Sequence, residues 1–293
     1  MHTMARAAEP LMKVLLVGGS SALAHAIRKP LSASAEVITA GRTECDIRLD
    51  IADISGAELP SGIDAVINTA AAFAGSSVAD LEQAAKANVL GPVSLMRLCE
   101  AAEVQQLVHI SSIFAELATT SPFFGAYALS KRQAEEWLEL AAVSSSVKVT
   151  VLRPSQFYGT GVFNRRHQPF LSTIIDRARK GEDIAIYGNN DALRNFIHVD
   201  DVAEVIVRSV RKQVAGTYRC VSQANLRYSD IAKAAIEAFS SRSIIRFLSD
   251  KPDIADNAFP PDETLYRLID YFPQISFKRG MQMEAAATDG AAA

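Results

Sequence analysis

Cysteine is scarce in this sequence: Cys45, Cys99 and Cys220 are the only three in 293 residues. An odd, widely spaced set fits neither a disulfide framework nor a zinc site, and it suits a reducing compartment, so a cytoplasmic location is expected. A surplus of either charge is also missing. Thirty Lys and Arg stand against 33 Asp and Glu, a net charge of −3. The basic residues are scattered and not interleaved with aromatics, which argues against a nucleic-acid partner. No apolar run approaches the roughly 20 residues of a membrane span, so no membrane partner is expected. Met1 to Pro10 contain no apolar stretch of the secretory type. No His, Cys, Asp or Glu spacing suggests a metal, and no repeat or long linker is visible. Residues 1–10 and the alanine-rich stretch 284–293 are expected to be disordered tails.

What is present is a globular composition, 49% hydrophobic and 22% charged. Short apolar runs alternate with amphipathic segments. Met12 to Val17 reads as a strand, Ala22 to Leu31 as a helix, Val37 to Thr39 and Asp64 to Asn68 as strands. Val78 to Ala102 reads as one long helix, then strand Gln106 to Ser111, helix Tyr127 to Ala142 and strand Val147 to Leu152. Such alternation predicts an α/β protein with a Rossmann-type, doubly wound parallel sheet. After Gly161 the pattern loosens, which predicts a smaller C-terminal α/β lobe. The expected division is residues 11–160 with a return segment 194–224 for the sheet domain, and 161–193 with 225–281 for the lobe. A ligand cleft is expected between them, at the carboxyl ends of the strands.

The first strand runs into Gly18-Gly19-Ser20-Ser21-Ala22-Leu23-Ala24 and a helix, the context of a dinucleotide turn. The spacing is Gly18-x-x-Ser21-x-x-Ala24, with one glycine where three are usual. Gly18 supplies the tight turn. Ser20, Ser21, Ala22 and Leu23 then present backbone N–H groups and the positive end of a helix dipole to phosphate. Past the second strand, Val37 to Arg42 contain no carboxylate to bond a ribose 2′-hydroxyl. Arg42 is the expected partner of a 2′-phosphate, which favours NADP(H). Glu44, two residues on, keeps NAD(H) open.

Tyr127 and Lys131 are four residues apart and so share a helical face. An ammonium beside a phenol favours the phenolate, so the Tyr127 pKa is expected to fall. Ser111-Ser112 close the preceding strand, and a serine there can bond the same substrate oxygen.

Together these pieces resemble the extended short-chain dehydrogenase/reductases, the NAD-dependent epimerase/dehydratase group acting on sugar nucleotides, from about Met12 to about Phe277. The resemblance implies a catalytic set of Ser112, Tyr127 and Lys131, with Lys131 also on the nicotinamide ribose. Asp50-Ile51 is similar to the acidic–apolar pair at adenine. Asn68-Thr69-Ala70-Ala71-Ala72 resembles the small-residue turn along the cofactor, and Asn88 the family's helix asparagine. Arg153 to Gly159 (RPSQFYG) resembles the segment after the nicotinamide, which implies Pro154 at the cofactor and Gln156 and Phe157 at the substrate. Arg194 to Asp201 (RNFIHVDD) resembles the segment whose arginine grips the substrate diphosphate; a salt bridge from Arg194 to Asp200 or Asp201 is the competing expectation. Ile113-Phe114 stand where many dehydratases carry an acid pair, and no second substrate arginine occurs in 251–262. The implied function is an NADP(H)-dependent reductase of a keto-sugar nucleotide, at a 4-keto group. The alternatives are an NAD-dependent epimerase, a non-catalytic dinucleotide sensor and a reductase of other carbonyls. Family members often pair through two long helices per subunit, which implies a homodimer.

Overall fold

The computed structural model describes residues 11–73, 75–160 and 168–290. Residues 1–10, expected to be a disordered tail, lie outside the described ones. In chain order the strands are β1 (Met12–Val17), β2 (Ala35–Gly41), β3 (Ile47–Arg48), β4 (Ala65–Asn68), β5 (Gln106–Ile110), β6 (Lys148–Pro154), β7 (Gln156–Tyr158), β8 (Ile184–Tyr187), β9 (Leu193–Arg194), β10 (Phe196–His198), β11 (Gly216–Cys220), β12 (Leu226–Arg227) and β13 (Ile245–Leu248). Seven of them form one parallel sheet in the order β11-β6-β5-β4-β1-β2-β3. Every residue of β4 and β5 is buried. A strand covered on both faces reads as an apolar run, not an alternation, which is why these were visible in the sequence.

Helices α1 (Ala22–Ser32) and α6 (Val199–Arg211) close one face of the sheet around Leu16, Ile27, Val108, Val202 and Ile206. The other face is closed by α2 (Val78–Ala84), α3 (Gly91–Ala101) and α4 (Ala126–Ala142), around Leu15, Val66, Leu95, Leu107 and Leu138. The strand order reverses between β1 and β4, and the crevice at that reversal opens at their carboxyl ends.

The expected single helix Val78 to Ala102 is interrupted by a π-helical turn, Ala85–Leu90. There the Gly91 N–H bonds the Lys86 carbonyl, five residues back. Pro92 has no N–H to offer the carbonyl four residues before it, so the ladder widens at this point. Gly91 is itself required, since a Cβ there would lie 2.5 Å from the Ile51 carbonyl oxygen.

The smaller lobe pairs β8 with β13, β9 with β12 and β7 with β10. Its core of Leu171, Ile174, Ile186, Phe196, Tyr228 and Ile231 is shared by α5 (Pro169–Lys180) and α7 (Tyr228–Ala238). Two features depart from the sequence reading. The expected disordered tail from Glu284 is helical as far as Gly290, within α9 (Phe277–Gly290), and Glu284 and Ala285 are buried. Alanine is the best helix former, and Phe277, Met281 and Ala285 recur every four residues as one apolar stripe. The short helix α8 (Thr264–Leu268), assigned by sequence to the lobe, packs Leu265, Tyr266 and Ile269 into the core of the main sheet instead. Among the described residues no helix is long and apolar enough to cross a membrane.

Candidate active site at the strand ends

Two turns meet at the reversal of the sheet. Gly18, after β1, has φ +78°, and a Cβ there would lie 2.6 Å from the Ala70 nitrogen and 2.8 Å from Thr69 Oγ1, after β4. Only glycine fits, both for the left-handed backbone and for the approach. Ser21 caps α1: its Oγ accepts the Ala24 N–H at 3.1 Å and lies 2.9 Å from Thr69 Oγ1. Thr69 Oγ1 donates to the Val17 carbonyl at 2.9 Å, so Ser21 donates to Thr69. The serine in the second fingerprint position thus ties the two turns together. Ser20 precedes the cap, while Ala22 and Leu23 form the first turn of α1, where backbone N–H groups have no helical partner. A small-residue wall continues from Ala70 to Ala72. Asn88, on the π turn, clamps it: its Oδ1 accepts the Ala72 N–H at 2.7 Å, and its Nδ2 donates to the Ala72 carbonyl at 2.8 Å and to Ser130 Oγ at 3.0 Å. The clamp fixes the wall to the helix that carries Tyr127.

Ser112 ends the strand segment and caps a short 3-10 turn, Ile113–Glu116, accepting the Phe114 N–H at 3.2 Å. Its hydroxyl also faces the Tyr127 phenol. Tyr127 lies in the first turn of α4 and is half-buried; the Phe73 ring stacks on it with centroids 5.0 Å apart and planes 16° from parallel. Lys131 is 1% exposed, and its Nζ donates to the Ile110 carbonyl at 2.8 Å, 5.9 Å from the Tyr127 ring centroid. The structure therefore brings Ser112, Tyr127 and Lys131 together at the carboxyl end of β5.

The expected fall in the Tyr127 pKa is not what this environment produces. Burial pushes the phenol up to about 12, and the nearby Ser112 hydroxyl only partly offsets it. Burial also brings Lys131 down to about 8, with the Glu135 charge acting the other way. The lysine is committed to a backbone carbonyl, so desolvation outweighs its attraction for a phenolate. His109, fully buried beside Asn68, is held well below its ordinary pKa by burial and by Lys131, and so stays neutral.

At the far side of β2, Arg42 is exposed and has no polar partner among the described residues. Asp46 is folded back onto the strand: its Oδ2 accepts the Thr39 N–H at 2.8 Å and the Thr39 hydroxyl at 2.7 Å. Glu44 takes a left-handed backbone, φ +53°. Asp50 is exposed and accepts the Ala52 N–H at 3.0 Å, while Ile51 is buried against Gly91.

On the lobe side, Pro154 closes β6 opposite Cys220. Gln156 donates to Gln168 Oε1 at 3.1 Å. Phe157, expected at the substrate, packs against the core of the main sheet, its register partner being Ile197. The strand pleat turns it away from the face of Gln156 and Tyr158. Arg194 does not pair with Asp200 or Asp201. Asp201 is taken by the Tyr271 hydroxyl at 2.6 Å and by the backbone N–H groups of Gln274 and Ile275. Arg194 instead donates to the carbonyls of Leu193 at 2.6 Å and Ala255 at 2.9 Å. Its guanidinium lies over Tyr228 at 4.6 Å and Phe123 at 5.3 Å from the ring centroids. Phe123 belongs to the loop between Ser112 and Tyr127, so this contact spans the two sides of the cleft.

The sequence reading missed Glu135 and Arg153. Glu135 is 5% exposed and pairs with Arg153 Nη2 at 2.6 Å. A four-residue step from Lys131 to Glu135 was available as a signal; the arginine on another element was not.

The model of the NAD dependent epimerase/dehydratase family matches residues 14–220. A trifunctional UDP-glucose 4,6-dehydratase/UDP-4-keto-6-deoxy-D-glucose 3,5-epimerase/UDP-4-keto-L-rhamnose-reductase from Arabidopsis thaliana is 24% identical over 74% of this chain, but the match spans only 35% of that protein. A dTDP-4-dehydro-6-deoxy-D-allose reductase from Streptomyces is 24% identical over 77% of this chain and 75% of its own length. Among solved structures, a Thermus thermophilus UDP-glucose 4-epimerase complexed with NAD aligns with TM-score 0.74 at 20% identity, over 96% of this chain and 100% of that one. RMD from Pseudomonas aeruginosa, complexed with NADPH, aligns with TM-score 0.77 at 17% identity, over 96% and 99%. The parallel sheet, the turns at its reversal and the matched residues agree: the chain belongs to the NAD dependent epimerase/dehydratase family.

Proposed function

We propose that this chain is an NADP(H)-dependent reductase of a keto-sugar nucleotide, acting at a 4-keto group. The observation that carries the reading is the meeting of Ser112 and Tyr127 beside buried Lys131, at the carboxyl end of β5. A dinucleotide fits the turns there. Gly18 makes the left-handed turn that brings the two loops together, Ser20, Ala22 and Leu23 offer N–H groups to pyrophosphate, and the Ala70 to Ala72 wall leaves a flat path. Asp50 and Ile51 would meet adenine, and Asn88 and Pro154 would shape the nicotinamide end. Bound there, the nicotinamide supplies the hydride.

The chain's own residues supply the rest. Tyr127, with its pKa raised to about 12, is protonated at neutral pH, which is the form that gives a proton to a carbonyl oxygen. Ser112 donates a hydrogen bond to that oxygen as negative charge develops. Lys131 holds a positive charge behind the phenol that lost its proton. Arg42, free at the end of β2, supports a 2′-phosphate. The likeness to the Streptomyces keto-sugar reductase supports the substrate class. Gln156 and Arg194 are the proposed contacts to the sugar nucleotide.

The outer face of the helices supports oligomerisation. Leu129, Trp137 and Leu140 of α4, with Val78 and Leu81 of α2 and Leu90 of the π turn, are exposed. Burying them between two subunits gives the proposed homodimer. The catalytic reading is tested by incubating the protein with NADPH and a 4-keto-6-deoxy sugar nucleotide. Loss of the reduced-nicotinamide absorbance is expected. Oxidised NAD that co-purifies, with no net consumption of NADPH, favours the epimerase.

A further inference from the structure

Four charged side chains of alternating sign run behind Ser112. Arg219 on β11 grips Glu116 of the 3-10 turn, its Nε 3.0 Å from both carboxylate oxygens. Arg153 on β6 joins Glu116, at 2.8 Å, to Glu135 on α4, at 2.6 Å. Glu135 also accepts a hydrogen bond from the Ser111 hydroxyl, next to Ser112. On the other flank, Arg132 donates to the Ala115 carbonyl at 2.7 Å and to the Leu117 carbonyl, so α4 holds the 3-10 turn from two sides. A carboxylate as buried as Glu135 is costly unless fully paired, and here both oxygens are used.

We propose that Glu135 is a positioning residue: it ties the strand end that carries Ser112 to the helix that carries Tyr127, and it sets a fixed negative charge one turn along that helix from Lys131. The inference deepens the reductase reading and rests on it. The groups that face Lys131 can be named element by element. From α4 they are Tyr127 and Glu135, and from β5 the Ile110 carbonyl and neutral His109. The π turn offers uncharged Asn88 through Ser130. Behind Glu135 stands Arg153 of β6, whose charge is met by Glu135 and by Glu116 on the 3-10 turn. The Glu82–Lys86 pair, on α2 and the π turn, is at the surface. With Glu135 ionised, two arginines and two carboxylates balance. Without its charge, one carboxylate serves two arginines, and the excess positive charge opposes the Lys131 ammonium.

The test is the titration of the Lys131 amine in the full-length protein, followed by NMR of 13C-labelled lysine and assigned with Lys131→Arg. Beside it runs the pH dependence of NADPH-linked reduction. Glu135→Gln is expected to move the amine's titration down by about one pH unit or more, and to shift the alkaline limb of kcat/KM with it, about a tenfold loss at a fixed pH on that limb. Glu135→Asp restores most of the shift. Arg153→Gln removes the opposing cation, moves the titration upward and serves if Glu135→Gln does not fold. A titration unmoved in both variants, or a rate lowered equally at every pH, overturns the proposal. The NMR titration needs no substrate, so a wild-type protein that consumes no NADPH defeats the reductase reading while leaving this result readable.

Discussion

At Gly18 the cleft is walled by backbone: a left-handed turn, a serine cap and the Ala70 to Ala72 segment, drawn from residues adjacent in sequence to β1 and β4. At Arg194 it is built from groups on four separate stretches, since the guanidinium rests on the rings of Phe123 and Tyr228 and bonds the carbonyls of Leu193 and Ala255. The first end tolerates almost no change of residue but asks for little long-range packing. The second depends on the lobe and the catalytic loop being held together. A backbone cradle can serve any dinucleotide, whereas an assembled side-chain site can differ from one substrate to the next.

The largest effect expected lies between these ends. Tyr127→Phe removes the proton donor while keeping the ring that stacks on Phe73, so kcat should fall by roughly 10²- to 10⁴-fold with dinucleotide affinity retained, measured by turnover and by fluorescence titration. Gly18→Ala attacks the backbone end. Its Cβ would meet Ala70 and Thr69, and its φ is unfavourable, so a loss of about 1–3 kcal/mol of stability is expected. A thermal melt and cofactor titration check it, and near-normal binding would break the contrast. Arg194→Ala attacks the other end. KM for the sugar nucleotide should rise by about tenfold to a hundredfold while NADPH affinity is unchanged; a lowered kcat with unchanged KM would mean that Arg194 only braces the lobe. Arg42→Ala is the mildest, expected to weaken NADPH by about tenfold and leave NADH untouched, by paired titrations.

The same contrast explains what was legible in the sequence. The strands and the glycine turn are local features, and Tyr127, Lys131 and Ser112 lie at the ends of elements that periodicity marks. Strand Met12–Val17 matches its expected bounds for the same reason. The π turn was not legible, because it arises where Pro92 meets the demand that Asn88 reach both Ala72 and Ser130. The C-terminal helix was read as a tail because its alanines carry little apolar signal until Met281 and Ala285 are seen to be buried. Spacing placed Lys131 beside Tyr127 but said nothing of desolvation, so the direction of the phenol's pKa was reversed. The Glu135–Arg153–Glu116–Arg219 chain needs four elements in contact, and no single stretch of sequence contains it.

The most direct test of the central claim is a single turnover with NADPH deuterated at the transferable position and a 4-keto-6-deoxy sugar nucleotide, with the product read by mass spectrometry. A Ser112–Tyr127–Lys131 site working as a reductase yields a sugar alcohol carrying one deuterium at the former carbonyl carbon, and Tyr127→Phe yields almost none. An unlabelled product, or equal labelling in the two proteins, would contradict it.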